Sequence, residues 1–87
     1  MSTNQSIKIL VIEDNQDVRE NLIEILELSK FSVLAAEDGL KGVEIAQTQI
    51  PDLILCDVMM PKLDGFGVLN ILGKRPDTSG IPFVFLG

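Results

Sequence analysis

Asp52-Leu53-Ile54-Leu55-Cys56-Asp57-Val58-Met59-Met60-Pro61 decides how this chain folds. The segment is apolar up to Asp57 and breaks at Pro61, so it reads as a buried strand that carries one carboxylate to its C-terminal end. Asp64-Gly65 closes the turn that follows. In parallel α/β sheets, ligands bind just beyond the carboxyl ends of the strands, so an aspartate there is placed for chemistry.

The flanking segments supply the rest of such a sheet. Upstream, Ile7-Lys8-Ile9-Leu10-Val11-Ile12 is a nearly continuous β-branched run, suited to a strand buried on both faces, and Glu13-Asp14-Asn15 ends it abruptly. Asn15 or Asp14 is the expected cap of a helix whose inward face is Val18, Leu22, Ile25, Leu26 and Ser29, with Arg19, Glu20, Glu24 and Glu27 toward water. Phe31 to Ala36 predicts a second, shorter strand. Asp38 is the candidate cap of a second helix carrying Leu40, Val43, Ala46 and Ile50 inward and stopping before Pro51. Downstream, Leu63 to about Gly73 predicts a third helix with Phe66, Leu69 and Leu72 inward. Gly67 and Gly73 each cost it about 1 kcal/mol relative to Ala. A polar loop from Arg75 to Gly80 leads to a fourth strand, Ile81 to Leu86, in which Phe83 and Phe85 share a core-facing side.

The order β-α-β-α-β-α-β predicts an α/β fold: a doubly wound parallel sheet with right-handed crossovers. Met1 to Ser6 is polar and expected to fray, which leaves a single domain from Ile7 to Gly87.

Composition narrows the function. The 87 residues carry a formal charge of −6, which argues against direct contact with nucleic acid or an anionic membrane and is compatible with a divalent cation. No apolar run approaches the ~18 residues of a membrane span, and the N-terminus lacks the pattern of a signal peptide. One cysteine, Cys56, within an apolar strand fits a small buried side chain in a reducing cytoplasm. The chain has no histidine, which excludes internal histidine catalysis and disfavours zinc.

If the first and third strands are neighbours, Glu13, Asp14 and Asp57 converge on one crevice. Like charges held that closely raise one another's pKa unless a cation neutralises them. Mg²⁺, a hard ion that takes oxygen ligands, suits such a set. A carboxylate is also a competent nucleophile toward phosphorus. The plain alternative, acids that only cap helices and solubilise loops, is weakened by the presence of two acidic strand ends in one β/α fold.

With these residues assembled, a resemblance becomes specific. Ile9 to Asn15, then Asp57-Val58-Met59-Met60-Pro61-Lys62-Leu63-Asp64-Gly65, and finally Ile81 to Leu86 resemble the receiver domains of two-component response regulators. The likeness spans about Ile7 to Leu86, with about 43 residues between the acidic pair and Asp57. It implies a flavodoxin-like sheet and a role in signalling, not as an enzyme. Asp57 would accept a phosphoryl group from the phosphohistidine of a sensor histidine kinase or phosphotransfer protein. It further implies that Asp14 and Asp57 bind Mg²⁺ directly, that Glu13 assists through water, and that the backbone carbonyl of Met59 is another ligand. Pro61 and Gly65 would shape the loop that aims this carbonyl. The Met60 side chain fills a gap in the core.

The chain departs from that pattern at its end. Receiver domains carry Thr or Ser where Gly87 stands, then a further helix, a fifth strand ending in lysine and a last helix. The expected strand order is therefore 2-1-3-4, a truncated receiver with the fourth strand as an open edge and apolar sheet surface uncovered beside the first helix. Exposed edges and patches invite association, so a homodimer or exchanged oligomer through the fourth strand is expected. The competing reading is an interaction module that keeps the fold without phosphorylation. An aspartate-nucleophile phosphatase would place a second acid two residues after Asp57, where Met59 stands. Nucleotide binding lacks a glycine-rich loop after any strand.

Overall fold

The computed structural model describes residues 6–87. The fraying expected of Met1 to Ser6 falls, Ser6 apart, outside the described residues. Strands β1 (Lys8–Ile12), β2 (Ser32–Ala36), β3 (Leu53–Asp57) and β4 (Phe83–Leu86) alternate with helices α1 (Gln16–Leu28), α2 (Gly39–Gln49) and α3 (Gly65–Gly73). All pairings are parallel and the order is β2-β1-β3-β4, as the alternation predicts. No helix among the described residues is long and apolar enough to cross a membrane.

β1 is the centre of the sheet, and Ile9, Leu10, Val11 and Ile12 are all buried. Its partners are set by register: Leu10 lies opposite Leu34 and Ile54, and Ile12 opposite Ala36 and Cys56. These side chains share one face with Ala46 of α2 and with Val68 and Leu72 of α3, which closes the core. α1 packs across β1 and β2 on the other face, where Ile9 and Val11 are buried. That face is covered on one half only. Leu53, Leu55 and Leu86 remain half-buried, and Val84 is 48% exposed. The expected uncovered apolar surface is therefore present, and among the described residues no strand pairs with the outer edge of β4.

Each helix keeps part of its expected face (Leu22 and Leu26 in α1, Val43 and Ala46 in α2, Leu72 in α3) and departs from it elsewhere. In α1, Ile25 is 58% exposed and Val18 and Ser29 are exposed too, while Arg19, Leu22, Ile23 and Leu26 are half-buried. A helix that touches one half of a sheet leaves its flanks in solvent, so a wide apolar stripe is only partly used. In α2, Leu40 and Ile50 are exposed, and Gly39, Gly42 and Ala46 face inward. Ile50 ends that helix in the left-handed region at φ 45.

α3 starts at Gly65, after a separate turn at Pro61 to Leu63, and its inward residues are Gly65, Val68 and Leu72. Phe66 is 59% exposed and Leu69 is exposed as well, contrary to expectation. The phase is set at Gly65, where a Cβ would overlap the Asp57 carbonyl oxygen. That close approach puts Gly65 against the sheet and sends Phe66 outward, where its ring lies 4.9 Å from Phe85. Phe83 packs edge-on to Phe85 at 5.2 Å and against the core, as its alternation predicts.

Candidate functional site

The site is built from two strand ends. At the end of β1 the chain stays in the sheet one residue longer, since the Glu13 N–H donates to the Ala36 carbonyl at 3.1 Å. It then turns sharply. Glu13 Oε2 accepts from the Asn15 N–H at 3.0 Å, and Asn15 Oδ1 accepts from the Val18 N–H at 3.0 Å. Asn15 is thus the cap of α1, and Asp14 is left exposed at the apex of the turn. Arg19, expected to face water, folds back so that Nη1 donates to the Glu13 carbonyl at 2.9 Å.

β3 delivers Asp57 to the same end of the sheet, half-buried. Carboxylate oxygens of Glu13, Asp14 and Asp57 all lie within 4.8 Å of one another, so the predicted convergence is realised. Glu13 is 6% exposed, and its carboxyl titrates above its ordinary 4.5. Burial is the main cause. The Asn15 N–H opposes it, while the contact with Asp14 and the charge of Asp57 push the same way as burial. None of the ion pairs among the described residues includes these three acids.

A carboxylate cluster that grades from buried Glu13 through half-buried Asp57 to exposed Asp14, with no cationic side chain paired to it among the described residues, fits a hard divalent ion such as Mg²⁺. Its donors are all carboxylate oxygens, with no thiolate or imidazole to favour a softer metal. Cys56 precedes Asp57 but points into the core, donating to the Asp57 carbonyl at 3.2 Å. Burial foremost, then the charges of Asp57, Glu13 and Asp64, push its thiol up to about 12, which suits an inert packing residue.

The loop after Asp57 is tightly held. The Gly65 N–H donates to the Val58 carbonyl at 2.9 Å, and the Leu63 N–H to the Pro61 carbonyl at 2.8 Å. The second bond spans three residues with Lys62 at φ 71, which makes Pro61-Lys62-Leu63 a γ-turn. Asp64 caps α3, its Oδ1 accepting from the Gly67 N–H at 2.8 Å. Met60 is half-buried against the core, as expected, whereas the Met59 side chain is 78% exposed. Lys62 turns to Asp38, Nζ lying 3.8 Å from Oδ2.

Three contributors escaped the sequence: the Arg19 bond to Glu13, the Asp38–Lys62 pair, and Thr78. Thr78 is buried and donates to the Leu72 carbonyl at 2.6 Å, closing the end of α3. Arg19 lies four residues after the capping Asn15, one turn into the helix, which is the only trace its role leaves in the sequence. A separate shallow groove of about 440 Å³, lined by Glu20, Ile23, Glu24, Glu27 and Leu28, shares no residue with the acidic cluster.

Known proteins agree with this arrangement. The response regulator receiver domain family matches residues 9–87. A probable transcriptional regulator ycf27 from Porphyra purpurea is 39% identical over 84 residues, which are 97% of this chain and 35% of that protein. Protein PilH from Pseudomonas aeruginosa is 37% identical over 79 residues, covering 91% of this chain and 65% of its own length. Among solved structures, the N-terminal domain of a response regulator receiver protein from Methanoculleus marisnigri superposes with a TM-score of 0.88 at 30% identity. That alignment covers 92% of this chain and 65% of the other. The chemotaxis protein CheY4 of Vibrio cholerae gives 0.89 at 25% identity, covering 93% and 68%. The chain thus spans about a third of the ycf27 relative and about two thirds of the solved receiver chains. By family match, parallel sheet order and the acids at the ends of β1 and β3, the chain belongs to the response regulator receiver domain family.

Proposed function

We propose that this chain is the phosphoacceptor module of a two-component relay, with Asp57 as acceptor. One observation carries the reading: Glu13, Asp14 and Asp57 meet within 4.8 Å at the carboxyl ends of β1 and β3 in a receiver fold. An Asp57 carboxylate oxygen attacks the phosphorus of a phosphohistidine supplied in trans. The P–N bond breaks, and the imidazole leaves with its electron pair and takes up a proton.

Mg²⁺ would be held by Asp14, Asp57 and the Met59 carbonyl, with Glu13 acting through water. When bound, it supplies positive charge that offsets the charge on the phosphoryl oxygens. Asp57 is fixed at the strand end by the β3–β4 ladder, and Arg19 fixes the turn that carries Glu13 and Asp14. In this reading the donor is a sensor histidine kinase or phosphotransfer protein acting in trans, with which a chain lacking histidine is compatible. A reducing cytoplasm suits the single buried thiol.

A second element of the reading is self-association through β4, whose outer edge is open and whose Val84 is exposed. The phosphoacceptor reading is tested by adding beryllofluoride and Mg²⁺ and following backbone amide shifts. Shifts at residues 13–15 and 57–65 that vanish in Asp57→Asn support it. An absence of Asp57-dependent shifts would leave the interaction module as the better account.

A further inference from the structure

The loop from Val58 to Asp64 is gripped at two places, and only one of them belongs to the acidic site. At its base, Gly65 sits against the Asp57 carbonyl and donates to Val58. At its tip, the grip comes from the start of α2. Asp38 caps that helix, its Oδ1 accepting from the Lys41 N–H at 2.8 Å. Its other oxygen, Oδ2, faces Lys62 Nζ at 3.8 Å. The next residue, Gly39, is buried directly under Leu63. A Cβ there would overlap the Leu63 carbonyl oxygen and press on Leu63 Cβ at 3.0 Å.

The residue between these contacts explains why a grip is needed. Lys62 has φ 71, a left-handed backbone that side-chain-bearing residues rarely adopt. Such a conformation persists only where the surroundings over-determine it. Here they do so from both sides: the Pro61–Leu63 hydrogen bond within the turn, and the Asp38–Gly39 step beneath it. Met59 lies inside the gripped segment, so the direction of its carbonyl depends on where the loop is held.

We propose that Asp38 and Gly39 are positioning residues for the Asp57 site, holding the 58–64 loop from α2 and thereby setting the site's affinity for a divalent cation. This rests on the cation-assisted reading of Glu13, Asp14 and Asp57. Asp38 and Gly39 are not among the residues that would hold the ion; they act through Lys62 and Leu63. Lys62 is accordingly a tether to α2, and its charge is matched to Asp38.

The test is Mg²⁺ binding to the whole chain by calorimetry, with urea unfolding of each variant to separate affinity from folding. Wild type should bind with a signal lost in Asp57→Asn. Gly39→Ala should weaken binding about tenfold or more, the range seen when groups supporting metal ligands are removed. That variant forces Leu63 to move and can fail to fold, so a gentler pair carries equal weight. Asp38→Ser keeps a capping oxygen and drops the charge, and Lys62→Gln keeps the side-chain stem. Each should weaken Mg²⁺ binding about two- to fivefold, as an exposed ion pair allows. The double variant should be no weaker than either single one, and Lys62→Arg should bind like wild type. Variants that fold and bind Mg²⁺ like wild type, or losses that add in the double variant, overturn the inference and leave the site reading intact. A wild-type chain with no Asp57-dependent Mg²⁺ binding overturns the site reading and this inference with it.

Discussion

Arg19 reaches back from the first turns of α1 to place Nη1 2.9 Å from the Glu13 carbonyl, tying the helix to the turn that carries both upstream acids. A guanidinium in that position orders the turn through its main chain. Without it the Glu13–Asp14 turn keeps its Asn15 cap but loses its outer support. Arg19→Gln is expected to weaken Mg²⁺ binding about tenfold, in the range found for groups that orient metal ligands. Calorimetry on folded variants measures this, and unchanged affinity would assign Arg19 to stability alone.

Glu13 predicts a pH dependence. Its carboxyl is raised above 4.5, chiefly by burial, so the folded chain holds that proton more tightly than the unfolded chain. As pH rises past 4.5, the unfolded state releases its proton first and gains on the folded state. Stability of the metal-free protein should therefore fall as pH climbs from 4.5 through the raised value, then level off from this group. Glu13→Gln should flatten that slope and stabilise the metal-free chain above the window. Urea midpoints from pH 4 to pH 8 check it, and a Glu13→Gln curve parallel to wild type would contradict it.

The rotated face of α3 separates two apolar residues two positions apart. Val68 is fully buried and Phe66 mostly exposed. Val68→Ala should cost roughly 1–3 kcal/mol through lost burial and a cavity. Phe66→Ala removes only its partial stacking on Phe85 and should cost about 1 kcal/mol or less. Denaturant unfolding ranks the two, and a larger loss for Phe66 would reinstate the face expected from the sequence.

The proposed self-association through β4 would carry a salt dependence. Each copy bears a formal charge of −6, so joining two copies is opposed by repulsion that added salt screens. Sedimentation should show dimer growing between low and moderate ionic strength. Val84→Lys, on the exposed face of the edge strand, should abolish it. A monomer at high concentration in both salts would refute the association.

Much of this was legible in the chain. The β-branched run of Ile9 to Ile12 and the apolar run into Asp57 are continuous because both strands are buried in a parallel sheet, and that pattern survives without knowledge of neighbours. The acids at positions 13, 14 and 57 follow directly, since strand ends fix them. Helix phase was not legible. Phe66 and Leu69 are as apolar as Val68, and the choice between them was made by Gly65 lying against the Asp57 carbonyl, a contact between elements. Asp38 was legible as the cap of α2, but its pairing with Lys62 was not, and Arg19 was hidden for the same reason. Arg19 and Lys62 each read as an ordinary surface charge until the turn between elements is in place.

Phosphoryl transfer to Asp57, helped by the Glu13–Asp14 side of the crevice, has a simple readout. That readout is intact mass after incubation with acetyl phosphate and Mg²⁺. Wild type should gain one phosphoryl group, Asp57→Asn none, and wild type little when Mg²⁺ is chelated. Wild type left unmodified with Mg²⁺ present, or Asp57→Asn modified to the same extent, would contradict it.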